Sequence, residues 1–441
     1  MITLYIHQKN NSRTEKMNNI TDLHIEDEIL PLFDYTFNLY SGKAVHHGLV
    51  TAPPGNMKDI LLRQQILKGY IANYEIWKEY SFSRFNLSEI YDFFETFGAG
   101  NFFANNMKWK LRFSEKERSQ KRGRLILLIL LFSKIHSNYT SKLDTKLFPS
   151  EYASELEWLN HFFEDFKLEY FEKIFQEKKT LHVSQIVELM GIVTQKVTNG
   201  QVEAFWKRWF LFEAYLSVSK GIVEHGFVFP SFDDSEFSIQ GLYHPLLKNP
   251  VSNDITATRN VILLTGPNMS GKSTFLKSVS LCVYLGHAGL AVPAKKAVIP
   301  FFDNLSVAIN LTDSIVSGYS HFMTEIITLK NVVEEALHGA KCFAVFDELF
   351  RGTNIEDALE ISTATIKGLT KFTNSYFFIS THLHQLKSME EINNGKVETC
   401  FIECVLKEGI PMFTYKLKEG WSDLKIGRIL FEKEGLDNML K

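Results

Sequence analysis

The stretch Gly266, Pro267, Asn268, Met269, Ser270, Gly271, Lys272, Ser273 and Thr274 is built to meet phosphate. It fits G-x-x-x-x-G-K-[ST]. Glycines let backbone N–H groups come close to phosphate oxygens, and a helix that starts there points its positive end at them. Lys272 supplies a mobile cation for the β- and γ-phosphates. Ser273 offers a hydroxyl to Mg2+. Further along, Phe343-Ala344-Val345-Phe346 runs into Asp347 and Glu348. A strand that ends in solvated acids is common by itself; one that follows a phosphate loop supplies what the loop needs beside it. Asp347 can hold Mg2+ through water, and Glu348 can polarise the attacking water as a general base. Ser380-Thr381-His382 follows another apolar run. Open α/β sheets bind ligands at the carboxyl ends of their strands, so His382 is placed to contact the γ-phosphate. The residues therefore call for ATP and Mg2+.

These groups need a scaffold, and the sequence supplies its pieces. Val261–Leu264 reads as a strand before the loop, and Thr274–Leu285 as a helix after it. Val261–Leu264, Phe343–Phe346 and Tyr376–Ile379 are short apolar runs separated by helical stretches, the pattern of a parallel sheet buried on both faces. Phe227–Pro230 and Gly241–Pro245 read as short strands and turns. Residues 20–235 read as mostly helical. Proline is scarce there, and Leu, Ile and Phe recur at three- and four-residue spacing among Glu and Lys. One such face is Leu159, Phe162, Phe163 and Phe166, continued by Tyr170 and Phe171. A helical domain comes first and an α/β nucleotide domain second, with a boundary near residue 225.

The bulk numbers fit this division. The chain has 441 residues, 45% hydrophobic and 22% charged, with a formal charge of −3. That total does not advertise nucleic-acid binding, so any basic surface is local. Cys282, Cys342, Cys400 and Cys404 make no metal-binding spacing and read as reduced thiols of a cytoplasmic protein. The first sixteen residues lack the pattern of a signal peptide. The longest apolar run, Leu125–Phe132, falls far short of the roughly 20 residues of a membrane helix and reads as a buried helix.

The motifs together resemble the MutS family of DNA-repair ATPases. Thr265–Thr274 is similar to that family's phosphate loop, with its Gly-Pro-Asn-Met start. Ser317-Gly318-Tyr319-Ser320-His321-Phe322-Met323-Thr324-Glu325 resembles its S-G-x-S-x-F-M-x-E loop, Asp347–Thr353 its D-E-x-G-R-G-T segment, and Ser380–Leu386 its T-H-x-x-E-L segment. Gly241–Pro245 resembles the entry to the same domain. Tyr415–Gly420, with Gly427 and Gly435, is similar to the elements that close it. More weakly, Leu32–Thr36, Gly42-Lys43, Pro53, Arg63–Ile66 and Phe212–Ser219 resemble the family's long-helix lever. The resemblance implies an α-helical lever-like domain over residues 1–225, followed by a mostly parallel α/β P-loop ATPase domain over 226–441. It implies a homodimer through the ATPase domain, in which Ser320 reaches the γ-phosphate held by the other subunit. The lever-like sequence starts by about residue 30, which leaves no room for the family's mismatch-reading domain. The clamp is expected to be missing or reduced, and the family's helix-turn-helix tail is expected to be lacking. Phe350 stands where the family has glycine, and His321 where it usually has threonine.

For DNA, the densest basic cluster is Arg118, Lys121, Arg122 and Arg124, with Lys116 beside it and Arg112 upstream. Such a cluster can neutralise phosphates, although Glu115 and Glu117 dilute it and a solvated helix face would look the same. Two functions follow: a duplex- or branched-DNA-binding ATPase of mismatch repair or recombination, or an ATP-driven protein-interaction switch without direct DNA contact.

Overall fold

The computed structural model describes residues 18–98, 114–309, 321–407, 410–424, 426–433 and 435–440. A helical region leads and an α/β region follows. In the first, helices Met57–Ala72, Arg84–Gly98, Glu115–Asn138, Ser150–Glu164, Val183–Thr198 and Gln201–His225 form the bulk. Polar caps start several of them. The Asn56 side chain accepts from the Asp59 N–H at 3.0 Å and Ser114 Oγ from the Glu117 N–H at 3.4 Å, each satisfying a donor that a first helical turn leaves without a partner. The apolar run 125–132 lies inside Glu115–Asn138 and buries Leu125, Leu128, Ile129, Leu131 and Phe132. Phe132 is enclosed by rings, with centroids of Phe163, Phe205 and Phe166 at 5.2, 5.3 and 5.5 Å.

The expected face through Tyr170 breaks at one residue. Lys167 has a φ of 54°, so helix Ser150–Glu164 stops and a second helix, Leu168–Lys178, begins. Phe171 rejoins the core, whereas Tyr170 is half exposed.

The second region holds two sheets. Strands are β1 (Asn18–Asn19), β2 (Ser231–Phe232), β3 (Ser238–Leu242), β4 (Asn253–Thr256), β5 (Val261–Thr265), β6 (Lys296–Ile299), β7 (Asn304–Ala308), β8 (Cys342–Phe346), β9 (Tyr376–Ser380), β10 (Glu398–Lys407) and β11 (Ile410–Glu419). The main sheet has the order β1-β7-β8-β9-β5-β10-β11, and the smaller one β2-β6-β3-β4. Every neighbouring pair of the main sheet is parallel except the hairpin β10–β11. Side chains alternate between two cores, as a strand's period of two requires. Ile262, Leu264, Phe343, Val345 and Phe378 enter the core shared with the helical region. Val261, Leu263, Ala344, Phe346, Phe377 and Ile379 enter a second core.

The two regions are tied at the far end of the helix that follows the glycine-rich loop, Lys272–His287. Arg63, from helix Met57–Ala72, donates to the carbonyls of Ala288 at 2.7 Å, Leu49 at 2.9 Å and Gly48 at 3.0 Å. Tyr284 Oη donates to the Val50 carbonyl at 2.9 Å. The N-terminal segment also crosses over: β1 pairs with β7, and Asp22 accepts from the Ile309 N–H at 2.7 Å. Residues from the start of the chain thus complete one edge of the later sheet.

Candidate active site

The five residues of β5 are all buried, and the chain leaves the strand at Thr265 into a loop with three left-handed positions. Gly266 has φ 139°, Met269 φ 67° and Gly271 φ 99°. A Cβ on Gly266 would lie 3.0 Å from Ser270 Oγ and 3.2 Å from the Ile402 carbonyl, so the first glycine is needed for space as well as conformation. Gly271 caps helix Lys272–His287. Lys272 folds back over the loop, its Nζ donating to the carbonyls of Gly266 at 3.1 Å and Pro267 at 3.4 Å. Burial lowers its pKa, against the opposing fields of Glu348 and Asp347. The Ser270 hydroxyl is buried and has no hydrogen-bond partner among the described residues. A buried hydroxyl without a partner is costly unless a ligand satisfies it. Asn268, Met269, Ser273 and Thr274 are exposed around the same loop.

The carboxyl ends of β8 and β9 bring the other groups to this loop. Asp347 accepts from the hydroxyls of Ser273 and Ser380. Ser380 Oγ in turn accepts from the Glu348 N–H at 2.8 Å. Glu348 Oε1 lies 2.6 Å from His382 Nε2, and Glu348 Oε2 accepts from Arg351 Nη1 at 2.8 Å. His382 Nε2 is also 3.1 Å from Lys272 Nζ. The hydrogen bond from His382 pulls the Glu348 carboxyl down to about 2, with Arg351 and Lys272 adding to the effect. Glu348 is therefore an anion held by His382 and Arg351 beside the lysine of the loop; while His382 Nε2 donates to Glu348 it cannot also accept from Lys272. A cleft of about 320 Å³ opens here, walled by Gly266, Pro267, Asn268, His382, Trp421 and Ile426.

The turn after Glu348 is strained. Glu348 has φ 54° and Phe350 φ 66°, a region that side chains other than glycine's rarely occupy. Phe350 is nevertheless buried, its ring 6.1 Å from that of Phe322, and its N–H donates to Glu325 Oε2 at 2.9 Å. Burial raises the Glu325 carboxyl to about 7. A Cβ on Gly352 would meet Phe322 Cβ at 3.0 Å. Helix His321–Leu337 is thereby fastened directly to the acidic turn.

Mg2+ fits the donor set. Among the described residues no group of three His, Cys, Asp or Glu side chains is gathered to hold a metal. Mg2+ in nucleotide sites needs only one or two protein oxygens besides phosphate and water, and Ser273 and Asp347 lie together to give them.

The structure thus gathers Lys272, Ser273, Asp347, Glu348 and His382. It adds Ser380, Arg351 and Glu325, whose roles spacing alone did not reveal; a hydroxyl two residues before the histidine was the visible signal for Ser380. Ser320 lies outside the described residues. Arg118, Lys121, Arg122 and Arg124 sit in the first turns of helix Glu115–Asn138, in the other region of the molecule, and are half-buried. Arg124 pairs with Glu89 at 3.8 Å, and Arg118 and Lys121 are also engaged within the fold.

Residues 262–436 match the family model of MutS domain V. The chain is 33% identical over 224 residues to the DNA mismatch repair protein MutS of Geobacillus sp. (strain WCH70), covering 49% of this chain and 25% of that protein. It is 33% identical over 209 residues to the protein of the same name from Bacillus licheniformis, covering 46% and 24%. To that of Halalkalibacterium halodurans it is 30% identical over 225 residues, covering 49% and 26%. The likeness spans about half of this chain and a quarter of each relative.

Proposed function

From the premise that the chain carries domain V of the MutS family, we propose that it binds and hydrolyses ATP with Mg2+, and that nucleotide state controls pairing of two copies and contact with DNA. The observation that carries the reading is the convergence of Lys272, His382 and Glu348 at the mouth of the loop. Phosphoryl transfer to water is mostly a matter of positioning and of countering charge. Backbone N–H groups from Gly266 to Thr274 cradle the phosphates, and Lys272 meets the β- and γ-oxygens. Ser273 and Asp347 would hold Mg2+, which would supply positive charge to counter that of the phosphates. His382 turns to the γ-phosphate and releases Glu348 Oε1 to accept the proton of the attacking water.

Such a site closes best between two chains. Ser320 of one chain reaches the γ-phosphate on the other, so ATP joins the halves of a two-fold dimer. Inactive Lys272→Ala and Ser320→Ala chains mixed one to one are then expected to recover roughly a quarter of wild-type activity, since half the dimers are mixed and each has one intact site. No recovery despite subunit exchange rules out the shared site.

The basic turns of helix Glu115–Asn138 are the proposed DNA contact, in mismatch repair or recombination in the cytoplasm. No helix among the described residues is long and apolar enough to cross a membrane. The internal engagement of Arg118, Lys121 and Arg124 favours a second reading, an ATP-driven switch that contacts proteins rather than DNA. ATP turnover measured with duplex, mismatched and branched DNA at several salt concentrations separates the two. Stimulation that fades steeply with salt supports DNA contact; turnover indifferent to all DNA supports the switch.

A further inference from the structure

The helical region holds a cleft that the ATP site does not use. It encloses about 680 Å³, more than the cleft at the phosphate loop. Its walls are helix Arg84–Gly98, the short helix Leu39–Ala44 and Phe210 of helix Gln201–His225. That volume suits a small ligand.

One wall is aromatic. The Tyr40 ring lies 5.0 Å from those of Tyr91 and Phe210, 27° and 19° from parallel. Tyr91 and Phe210 are themselves 6.3 Å apart. Rings on opposite faces of a third would stand at least about 7 Å apart, twice the contact distance between carbon atoms. Both therefore back one side of Tyr40, which stays 37% exposed. Phe210 stacks in turn on the buried Trp206, 5.6 Å away and 17° from parallel. The backbone under the ring is pinned as well. Ser41 Oγ donates to the buried Glu213 at 2.9 Å and accepts from Asn38 Nδ2 at 2.8 Å. A ring held in this way loses little freedom on binding.

Three charged groups line the same cleft. The side chains of Lys43, Arg84 and Asp92 have no hydrogen-bond or ion-pair partner among the described residues. Asp34, the other carboxylate of the wall, is taken up by the Thr36 N–H at 3.0 Å and the Thr36 hydroxyl at 2.7 Å. A backed ring, two free cations and one free acceptor call for a ligand with a π-face, an anion and N–H donors. A nucleotide carries all three, in its base, its phosphate and the N–H groups of the base.

We propose that this cleft is a second nucleotide site, in which a base stacks on Tyr40 and its phosphate meets Lys43 and Arg84. Stacking tolerates base identity, because every base has a π-face. The nucleotide comes either free from solution or unpaired from a DNA strand. Position favours the strand, because helix Arg84–Gly98 also carries Glu89, which pairs with Arg124 of the basic turns at 3.8 Å. The strand source rests on the DNA contact proposed above; the cleft and its chemistry do not.

The test titrates adenosine monophosphate, a single-stranded oligodeoxyadenylate and an abasic strand of equal length. Affinities are measured for the wild type, Tyr40→Phe, Tyr40→Ala and Arg84→Gln. Tyr40→Phe keeps the ring and is expected to match the wild type, which binds the monophosphate, the oligodeoxyadenylate or both. Tyr40→Ala is expected to weaken these about tenfold or more, the usual scale of one lost stack, and to leave the abasic strand unchanged. Arg84→Gln changes an exposed side chain in a first helical turn and leaves the core intact. It is expected to weaken the same ligands and, for the strand, to flatten the slope of log affinity against log salt by about 0.7. Binding of the oligodeoxyadenylate alone supports the site with a strand as its source. Binding of the monophosphate alone supports the site and overturns the DNA contact. Binding of neither, affinity indifferent to Tyr40→Ala or to Arg84→Gln, or equal weakening of the abasic strand by Tyr40→Ala overturns the proposal.

Discussion

Two glutamates, one in each region, are held in opposite ways. Glu213, on helix Gln201–His225, is 1% exposed, and its hydrogen-bond partners among the described residues are neutral. It accepts from the Phe37 N–H and Asn38 Nδ2, each at 2.5 Å, and from Ser41 Oγ at 2.9 Å. Burial raises its carboxyl to about 7, although these bonds oppose the rise. Glu348, at the end of β8, is held down to about 2 by His382, Arg351 and Lys272. The first carboxylate is a clasp that pins residues 37–41 to a helix; its bonds close on the chain itself. The second is kept charged by groups that also face the phosphate loop. A buried carboxylate among neutral donors does structural work at an electrostatic cost, whereas one among cations is ready to exchange partners with a ligand. Stability is thus expected to reside in the helical region and chemistry at the strand ends.

The largest expected effect sharpens that division. Phe205 is fully buried among Phe132, Phe162 and Trp209. Phe205→Ala is expected to cost about 3–5 kcal/mol in denaturant unfolding, while the chains that remain folded keep wild-type ATP affinity. A parallel loss of affinity would show that the helical core also shapes the site.

Next comes the pH dependence of Glu213. Between its ordinary value of 4.5 and about 7, the native state keeps a proton that the unfolded chain has released. Stability therefore falls as pH rises through that window, by about 3 kcal/mol for this group. Glu325 titrates in the same window, so the informative quantity is the difference between wild type and Glu213→Gln. The variant is expected to show the flatter pH profile in thermal unfolding; identical slopes would break the comparison between the two glutamates.

A smaller effect is expected at Phe350. Both Phe350→Gly and Phe350→Ala remove the buried ring, but only glycine relaxes the left-handed backbone at φ 66°. Phe350→Gly is expected to be more stable than Phe350→Ala by about 1 kcal/mol, the reverse of their order in a helix. Equal stabilities would mean that the turn bears no strain.

The site was legible in the sequence wherever chemistry forces spacing. Gly266, Gly271, Lys272 and Ser273 must follow one another, and Asp347 and Glu348 must end an apolar strand. Long-range geometry was not legible. Asn18 and Asn19 form β1 although asparagine is disfavoured in strands, because pairing with β7 decides their conformation. Glu213 meets partners some 175 residues away, as with Asn38, and no local pattern announces them. The bend at Lys167 that exposes Tyr170 lies within an unbroken apolar periodicity.

Hydrolysis is expected to depend most directly on Glu348. ATP affinity and steady-state Mg2+-dependent turnover are to be measured side by side for wild type and Glu348→Gln. The amide keeps the shape of the carboxylate and cannot accept the proton, so binding is expected to stay within about twofold while turnover falls at least about a hundredfold, the scale of a lost general base. Wild-type turnover in Glu348→Gln would contradict the central claim that this residue activates water at the phosphate loop.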